Sequence, residues 1–396
     1  MLGKIVGKIY FLLDHALTKA SYPVLFKGLF FQVAYLLKVT FLHFNILKHN
    51  LQHNFFGPIE KRRYSFPIRM LIGLEGTFGS GGEDVVRIFT QKLKFKLLYL
   101  ESIVSCDDES IQVHDLTIFK RFQDPESLLN YVTANWRENL LICNLRALSN
   151  LEMFLKRPFF MLITIDSSIN LKFKRVSNKY PSWTLEKVCE ESDKLQLNPK
   201  YCSIQDKAKL KLINNTLDTQ ILYDNLQKLD LTNPERLRPH WDSYFMHFAD
   251  LAAMRSNCMK RRVGCVIVKD NRVVATGYNG TPRGAKNCNE GGCHRCNHPA
   301  ESGSSSGVAL STCLCLHAEE NALLEAGRRR VEENSILYCN TCPCLTCTIK
   351  IVQVGITEVV YSQSYSMDEF SEKVFREAGI KFRQFIPPTY GTIVIQ

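Results

Sequence analysis

The sequence predicts an α/β protein built from two consecutive α/β regions. In the first region, from about position 69 to 231, short apolar segments that are typical of buried strands alternate with helical segments. The second region, from about 234 to 396, alternates in the same way. This order favours sheets covered by helices, with parallel strands in the first region. A chain of 396 residues, 45% of them hydrophobic, is long enough for two separate cores.

Each region supplies its own predicted elements. The first opens on a strand, Met70–Leu74, which leads through a glycine-rich turn into an apolar-periodic helix, Glu83–Leu93, and later holds the strand-like segments NLLICNL and PFFMLITID. In the second region HWDSYFMHFADLAAMRS predicts an amphipathic helix, and VGCVIVKDNRVVATGYN predicts a hairpin that turns at Asp270 and Asn271. The segments AEENALLEAGR, SILYC, CLTCTIKIVQVG and EVVYS then predict helix, strand, helix and strand. The polar run Asn297–Ser311 predicts a surface insertion.

Positive charge is concentrated at the N-terminus. Residues 1–66 hold nine lysines and arginines against two acidic residues, so they carry +7 of the net charge of +11. The remainder is mildly basic, which suits an anionic small molecule and gives only weak support for nucleic acid. The apolar run Gly28–Leu37 is too short to span a bilayer as a helix, so no membrane partner is predicted. We expect residues 1–68 to be a basic, apolar extension that is either artefactual or disordered.

Cysteine usage favours metal binding over disulfides. Of 15 cysteines, 11 fall between Cys258 and Cys347. The apolar stretches near the N-terminus lack the small-residue cleavage site of a secretory signal, so we expect a cytoplasmic protein, with the nucleus as a further location. In such a compartment clustered CxxC pairs are typical metal ligands.

Two segments carry the predicted catalytic chemistry. HAEEN begins at His317 and PCLTC begins at Pro343, which together give H-x-E followed by P-C-x-x-C. His317, Cys344 and Cys347 would supply three ligands of a tetrahedral zinc, with water as the fourth. Glu319 would serve as the general base and acid on that water. A lone CxxC often forms half of a structural zinc site, but the two segments together predict a hydrolytic centre.

The order of these residues along the chain also predicts where they lie. The two cysteines of PCLTC precede an apolar-periodic helix, and Pro343 fits its first turn, where the helix dipole favours thiolates. His317 and Glu319 are two residues apart, and such residues point away from each other deep inside a helix. We therefore expect them in a first helical turn, with the metal beyond the helix end.

Residues 239–388 resemble a deoxycytidylate deaminase of the cytidine deaminase superfamily. The matching segments are RSNCMKRRVGCVIVKDNRVVATGYNGTPRG, CLCLHAEENALLEAG, LYCNTCPCLTCTIKIVQVGITEVVY and SQSY. The resemblance implies a three-layer α/β/α domain with a mixed five-stranded sheet. It also implies zinc-dependent hydrolysis of dCMP to dUMP and ammonia, which supplies dUMP for thymidylate synthesis. It further implies a homo-oligomer, often a hexamer, that dCTP with Mg²⁺ activates and dTTP inhibits.

The resemblance also suggests residues that bind substrate. Asn279 in GYNG matches the family residue that contacts the deoxyribose, and Tyr365 is a candidate to close over the nucleotide. Candidates for the phosphate are Arg283 and the basic run Arg255, Lys260, Arg261 and Arg262. A solvated surface charge remains the alternative for each cation, and an ordinary strand-end aromatic remains the alternative for Tyr365.

A second group of cysteines predicts a structural zinc site. Related deaminases carry a second zinc near this insertion, and a CxxC with outside ligands is typical of such a site. We assign Cys288, Cys293, Cys296 and Cys313 to it, and the further candidates are Cys258, Cys315, His294 and His298. The alternative is a loop of reduced thiols. Cys265 and Cys339 are predicted as apolar core residues.

The segment GTFGSGGE, Gly76–Glu83, approximates a P-loop but departs from it at two positions. Gly82 stands where a lysine should reach the phosphates, and Glu83 stands where a hydroxyl should hold magnesium. Residues 69–231 resemble the P-loop nucleotide-kinase-like domain that precedes the deaminase in fungal deoxycytidylate deaminases. We expect a degenerate, catalytically inactive scaffold.

Two other functions remain as alternatives. One is a deaminase of the same superfamily that acts on a free nucleoside or a tRNA adenosine, against which GYNGTPRG and the insertion argue. The other is a non-enzymatic, zinc-stabilised nucleotide-binding module. Glu319 argues against this second alternative, because a structural zinc site needs no residue to move protons.

Overall fold

Two β-sheets organise the chain in a computed structural model, which describes residues 69–101, 111, 113, 115–148, 150–298, 312–331, 334–364 and 368–396. The predicted extension, residues 1–68, lies outside the described residues, as do residues 299–311 of the insertion and Tyr365. None of the described helices is both long enough and apolar enough to cross a membrane.

The first α/β region contributes six strands and seven helices among the described residues. The strands are β1 Leu71–Gly76, β2 Lys96–Leu100, β3 Lys120–Phe122, β4 Leu140–Cys143, β5 Phe160–Asp166 and β6 Leu210–Asn214. The helices are α1 Gly82–Arg87, α2 Pro125–Ala134, α3 Leu151–Leu155, α4 Ile169–Lys179, α5 Leu185–Gln196, α6 Pro199–Lys207 and α7 Thr219–Lys228. A π-helical turn, Ile88–Lys92, continues α1.

The second α/β region contributes the remaining elements that the structure describes. The helices are α8 Trp241–Ala253, α9 His294–Asn297, α10 Ala318–Arg330, α11 Leu345–Val354 and α12 Asp368–Glu377. The strands are β7 Gly264–Lys269, β8 Arg272–Tyr278, β9 Ile336–Thr341, β10 Glu358–Gln363, β11 Lys381–Gln384 and β12 Gly391–Ile395.

The first sheet is parallel throughout and has seven strands in the order β12-β6-β5-β1-β4-β2-β3. Its central strand, β1, is buried along its whole length, as expected for a sheet with helices on both faces. The predicted division into residues 69–231 and 234–396 does not account for β12. This strand comes from the C-terminal end of the chain and pairs with β6 at the edge of the first sheet.

Arg236 anchors this returning C-terminal strand. Its buried guanidinium donates hydrogen bonds to the carbonyl oxygens of Thr389, Asp230 and Leu229. These contacts join the end of the first region to the segment that precedes β12. The two α/β regions are therefore connected at both ends of the second one.

The second sheet has five strands in the order β11-β10-β9-β7-β8 and is mixed, because β7 runs antiparallel to both of its neighbours. On one face Val266 and Val268 pack in the same core as residues of α8. On the other face Cys265 and Ile267 pack in the same core as residues of α10, α11 and α12. The predicted three-layer α/β/α domain with a mixed five-stranded sheet is confirmed.

The predicted hairpin forms between β7 and β8. Asp270 and Asn271 at its tip have φ values of 48° and 57°, which match a type I′ turn. Asp and Asn tolerate this left-handed conformation better than most residues. At the end of the hairpin away from the turn Gly264 pairs with Tyr278, after a shift in register between Ile267 and Val268.

Candidate active site

The predicted catalytic residues meet where two helices begin, beyond the carboxyl end of β9. His317 is the N-cap of α10, and Cys344 is the N-cap of α11, which follows β9 after a short turn. The first-turn position predicted for the His317 and Glu319 pair is therefore what the structure shows. Both helix dipoles direct their positive ends toward this point, which favours thiolate ligands and an ionised carboxylate.

The three predicted ligands have the spacing of a tetrahedral zinc site. His317 Nδ1 lies 3.3 Å from the sulfur of Cys344 and 3.3 Å from the sulfur of Cys347. Ligands at ordinary Zn–N and Zn–S distances stand about 3.5 Å apart around a tetrahedral ion. One imidazole and two thiolates leave a fourth position open, as in catalytic rather than structural zinc sites. The donor set therefore fits a catalytic zinc.

Charge supports the same assignment. The hydrogen bond with Cys347 and the nearby His317 together lower the pKa of Cys344 to about 4, so this sulfur is a thiolate at neutral pH. The same hydrogen bond, together with burial, raises the pKa of Cys347. A thiolate is the form that binds zinc. Hydrogen bonding to Cys344 raises the pKa of His317 to about 9, which shows how strongly the two side chains interact.

Glu319 lies beside the ligands and is almost wholly buried, with 3% of its surface exposed. Burial raises its pKa to about 7, although the nearby His317 acts in the opposite direction. The Cys339 thiol hydrogen bonds to this carboxylate. A carboxyl group with a pKa near neutrality both accepts and returns a proton easily at neutral pH.

Several contacts fix the first turn of α10. Glu320 accepts a hydrogen bond from the His317 backbone N–H at 2.8 Å, completing a capping box, and its other oxygen pairs with Lys350 of α11. Gly277 of β8 allows close approach, since a Cβ there would lie 2.1 Å from the carbonyl oxygen of Ala318. The segment HAEEN therefore positions its metal ligand and its carboxylate on a rigid turn.

Comparison with known proteins agrees with this geometry. The profile of the cytidine and deoxycytidylate deaminase zinc-binding region matches residues 239–363. The deoxycytidylate deaminase of Schizosaccharomyces pombe is 49% identical over 322 residues, which cover 80% of this chain and 98% of that protein. The chain belongs to the deoxycytidylate deaminase family.

Another member of the family, the deoxycytidylate deaminase of Saccharomyces cerevisiae, is 46% identical over 333 residues, or 80% of this chain and 96% of that protein. Matches of this length extend over both α/β regions, because the second region alone is too short to hold them. A solved structure, the cyanophage S-TIM5 dCMP deaminase in complex with dCMP and dUMP, is 30% identical. The aligned part covers 37% of this chain and 98% of the cyanophage chain, with a TM-score of 0.30.

Asn279, the predicted deoxyribose contact, directly follows β8, and its side chain is mostly engaged within the protein. Its side-chain oxygen accepts hydrogen bonds from the Val263 N–H at 2.8 Å and the Ser256 hydroxyl at 2.7 Å. Its amide nitrogen donates to the carbonyl oxygen of Arg261 at 2.8 Å. An amide group has two N–H donors, so one donor remains for a substrate.

The predicted phosphate-binding cations lie in two segments, one between α8 and β7 and the other after β8. Arg283, Arg255 and Arg262 are exposed, and Lys260 and Arg261 are half-buried. A cavity of about 430 Å³ is lined by residues of this basic run together with Asn289. The structure thus brings Lys260, Arg261 and Arg262 to one concave surface, whereas Arg255 does not line the cavity and Arg283 lies in the loop after β8.

The P-loop-like segment is occupied by the chain's own side chains. A Cβ at Gly82 would lie 2.7 Å from Ile111, whose backbone is held by Asn144. Arg175 donates hydrogen bonds to the carbonyl oxygen of Gly79 and the hydroxyl of Ser167, at 3.0 and 2.9 Å. A lysine at position 82 would displace Ile111 from the core that it shares with β1.

The remaining cysteines separate into core residues and a cluster. Cys265 and Cys339 are fully buried, as predicted, on the sheet face that packs against α10 and α11. The four cysteines assigned to a second zinc do not form a single set among the described residues. Instead, six cysteines form two overlapping groups of four. One group holds Cys258, Cys288, Cys296 and Cys315, and the other holds Cys293, Cys296, Cys313 and Cys315. His294 and His298 belong to neither group and are exposed.

Proposed function

We propose that this chain is a zinc-dependent hydrolase that converts dCMP to dUMP and ammonia. The observation that carries the proposal is the convergence of His317, Cys344 and Cys347 around one point, with the buried carboxylate of Glu319 beside them. A structural zinc site would have no use for such a carboxylate. Membership of the deoxycytidylate deaminase family indicates the substrate.

The residues of the site divide the chemistry between them. His317, Cys344 and Cys347 would hold the zinc, which when bound lowers the pKa of a coordinated water toward neutrality. Glu319 would accept a proton from the attacking water as the water oxygen adds to C4 of the pyrimidine. Glu319 then delivers this proton to the ring nitrogen N3. Glu319 would next take the proton of the new C4 hydroxyl group and pass it to the amino group, which leaves as ammonia while the C4 carbonyl forms.

Substrate specificity is assigned to the segments that precede β7 and that follow β8 and β10. We propose that the free amide N–H of Asn279 contacts the deoxyribose and that the basic surface of residues 255–262 binds the phosphate, with help from Arg283. Tyr365, in the segment that follows β10, would close over the nucleotide. Charge-assisted hydrogen bonds suit a phosphate dianion, and close packing at C2′ would disfavour ribose.

Further parts of the proposal concern metal, regulation and assembly. The cysteine cluster would bind zinc for a structural purpose, and Mg²⁺ would enter only with a nucleotide effector. The family resemblance supports activation by dCTP, inhibition by dTTP, and assembly into a homo-oligomer such as a hexamer. We propose that the protein acts in the cytoplasm or nucleus.

The first α/β region is proposed to be an inactive P-loop kinase-like scaffold. Gly82 and Glu83 replace the two residues that bind nucleotide phosphate and magnesium in active P-loops. The Ile111 side chain, within 2.7 Å of a Cβ at position 82, leaves no room for a lysine.

The proposal is tested by incubating the purified chain separately with dCMP, cytidine and a tRNA anticodon stem-loop containing adenosine, and measuring ammonia release. We expect ammonia from dCMP alone, with dUMP formed in equal amount. A His317→Ala variant, which loses a zinc ligand, controls for contaminating enzymes. Release from cytidine or RNA but not from dCMP would contradict the proposed substrate, and release from none would contradict the proposed reaction.

A further inference from the structure

Six cysteines, four buried and two half-buried, form a cluster in the second α/β region, and the cluster contains no other apolar side chain among the described residues. Its members are Cys258, Cys288, Cys293, Cys296, Cys313 and Cys315. They come from three separate segments: the loop after α8, residues 288–296, and the segment just before α10. The middle segment has only a three-residue 3₁₀ turn and the four-residue α9 as regular structure. Thiols alone bury too little apolar surface to hold such segments together.

The sulfur atoms have the spacing of metal ligands rather than of disulfides. The separations from Cys296 are 3.7 Å to Cys258, 3.7 Å to Cys313 and 4.0 Å to Cys315, and Cys293 lies 3.9 Å from Cys313. A disulfide would bring two sulfurs to about 2.05 Å. Thiolates around a tetrahedral zinc, with Zn–S bonds of about 2.3 Å, stand about 3.8 Å apart.

The two groups of four overlap in a specific way. Each group has the four sulfur ligands of a tetrahedral zinc, and the groups share only Cys296 and Cys315. A single zinc would use four of the six cysteines and leave two thiols, one buried and one half-buried, without a role. Two ions would use all six, with two unshared ligands each.

We propose that the cluster binds two zinc ions bridged by the thiolates of Cys296 and Cys315. Cys258 and Cys288 complete one tetrahedron, and Cys293 and Cys313 complete the other. This inference rests on the proposed structural metal site and is independent of the proposed reaction.

Hydrogen bonds distinguish the four terminal sulfurs from the two bridging ones. Cys288 accepts from the Met259 N–H at 3.4 Å and Cys293 accepts from the Leu314 N–H at 3.4 Å. Cys258 likewise accepts hydrogen bonds from the backbone N–H groups of Lys260 and Arg261. Cys313 accepts hydrogen bonds from the Cys315 N–H and from the Arg295 side chain. Within the described part of the chain, the sulfurs of Cys296 and Cys315 form hydrogen bonds with other cysteine sulfurs only.

This asymmetry is what a bridged pair requires. A terminal thiolate has lone pairs left for N–H donors, and such outer contacts are typical of metal ligands. A bridging thiolate uses a further lone pair on the second ion. Six thiolates also outweigh the charge of two zinc ions, and Arg295, only 5% exposed, places a guanidinium against the cluster.

The cluster also connects to the catalytic centre. Cys315 precedes His317 by two residues, and Leu316 between them exchanges two backbone hydrogen bonds with Gly280, at 2.8 and 3.1 Å. Gly280 in turn follows Asn279. Loss of the bridged pair should therefore loosen both His317 and the proposed deoxyribose contact.

Metal content provides the first test. We expect three zinc ions per wild-type chain by elemental analysis and native mass spectrometry, and two in His317→Ala. Cys293→Ser, which removes a terminal ligand, should lose about one ion, whereas Cys296→Ser should lose both cluster ions. Two zinc ions in the wild type, with no loss in Cys293→Ser, would leave a single structural zinc and overturn the bridged pair. One zinc in the wild type would overturn the structural site as well, without bearing on dCMP turnover.

A second measurement needs no variant and so does not depend on whether the variants fold. The wild-type chain is loaded with ¹¹³Cd²⁺ and examined by cadmium NMR. Two tetrathiolate resonances with mutual scalar coupling are expected, because the coupling passes through a shared sulfur. A single tetrathiolate resonance, or two without coupling, would refute the bridged cluster.

Discussion

Glu319→Gln should nearly abolish turnover while leaving zinc content and folding intact. The amide fills the space of the carboxylate but cannot accept the proton of the zinc-bound water. Glu319 is only 3% exposed, so solvent and buffer have little access to take over its role. General acid–base catalysis contributes at least ~100-fold to a rate, which corresponds to about 2.7 kcal/mol on the activation barrier.

Glu320→Gln is the matched control for this variant. Glu320 is the adjacent carboxylate, but it caps α10 and pairs with Lys350 instead of facing the reacting atoms. Glutamine keeps the capping hydrogen bond and loses an ion pair worth up to about 1 kcal/mol. We expect kcat within about threefold of wild type, since the loss of ~1 kcal/mol affects stability rather than chemistry.

The assay for both variants follows dUMP formation from dCMP at saturating substrate, with zinc content and thermal unfolding measured on the same samples. If Glu319→Gln retained a tenth or more of the wild-type kcat, the assigned proton transfer would be wrong. If it lost zinc or unfolded, its rate would not report on proton transfer. The kcat of Glu319→Asp, which keeps a carboxylate on a shorter side chain, would then be compared with that of the wild type.

Two further predictions concern the anchor of β12 and the P-loop-like segment. Arg236→Ala should lower the free energy of unfolding by about 3 kcal/mol, because three backbone carbonyl groups lose the charged donor that a buried guanidinium supplies. As a control, substitution of the exposed Arg238 by alanine should change the free energy of unfolding by less than about 0.5 kcal/mol. Equal urea-unfolding midpoints for Arg236→Ala and the wild type would refute the anchoring role. The full chain should show no micromolar ATP affinity by calorimetry, and Gly82→Lys should not create it because Ile111 occupies the space. ATP binding by the wild type at micromolar concentration would show that the region is not an inactive scaffold.

Much of the catalytic centre could be predicted from the sequence because its residues lie in short, contiguous segments. HAEEN and PCLTC each hold two functional side chains within one helical turn, so local helix geometry brings them together once two helices begin at the same edge. The hairpin at Asp270 and Asn271 was predictable for the same reason, since the turn residues determine its conformation.

Features that depend on distant contacts could not be derived in this way. The pairing of β12 with β6 joins segments about 180 positions apart, and nothing in either strand specifies its partner. Arg236 was not singled out, because a charged residue in a linker usually lies in solvent. The short sequence between β11 and β12 gives no signal that the chain crosses to the other sheet.

The cysteine cluster lies between these two cases. Its residue types indicated a metal, but the choice of ligands depended on how three segments pack. Cys258 and Cys315 were candidates outside the predicted set of four, and the structure brings both into contact with Cys296. A local CxxC shows that a site exists, whereas the sharing of thiolates is a property of the fold.

The value of kcat/KM for dCMP relative to deoxycytidine tests the central claim most directly. Phosphate lies far from C4, so its binding energy serves to position the ring at the catalytic centre. Two charge-assisted contacts of about 1.5–3 kcal/mol each predict a preference for dCMP of roughly 100-fold or more. CMP measured under the same conditions should also be a poor substrate. Equal values for dCMP and deoxycytidine would contradict the proposal that this chain is a nucleotide deaminase.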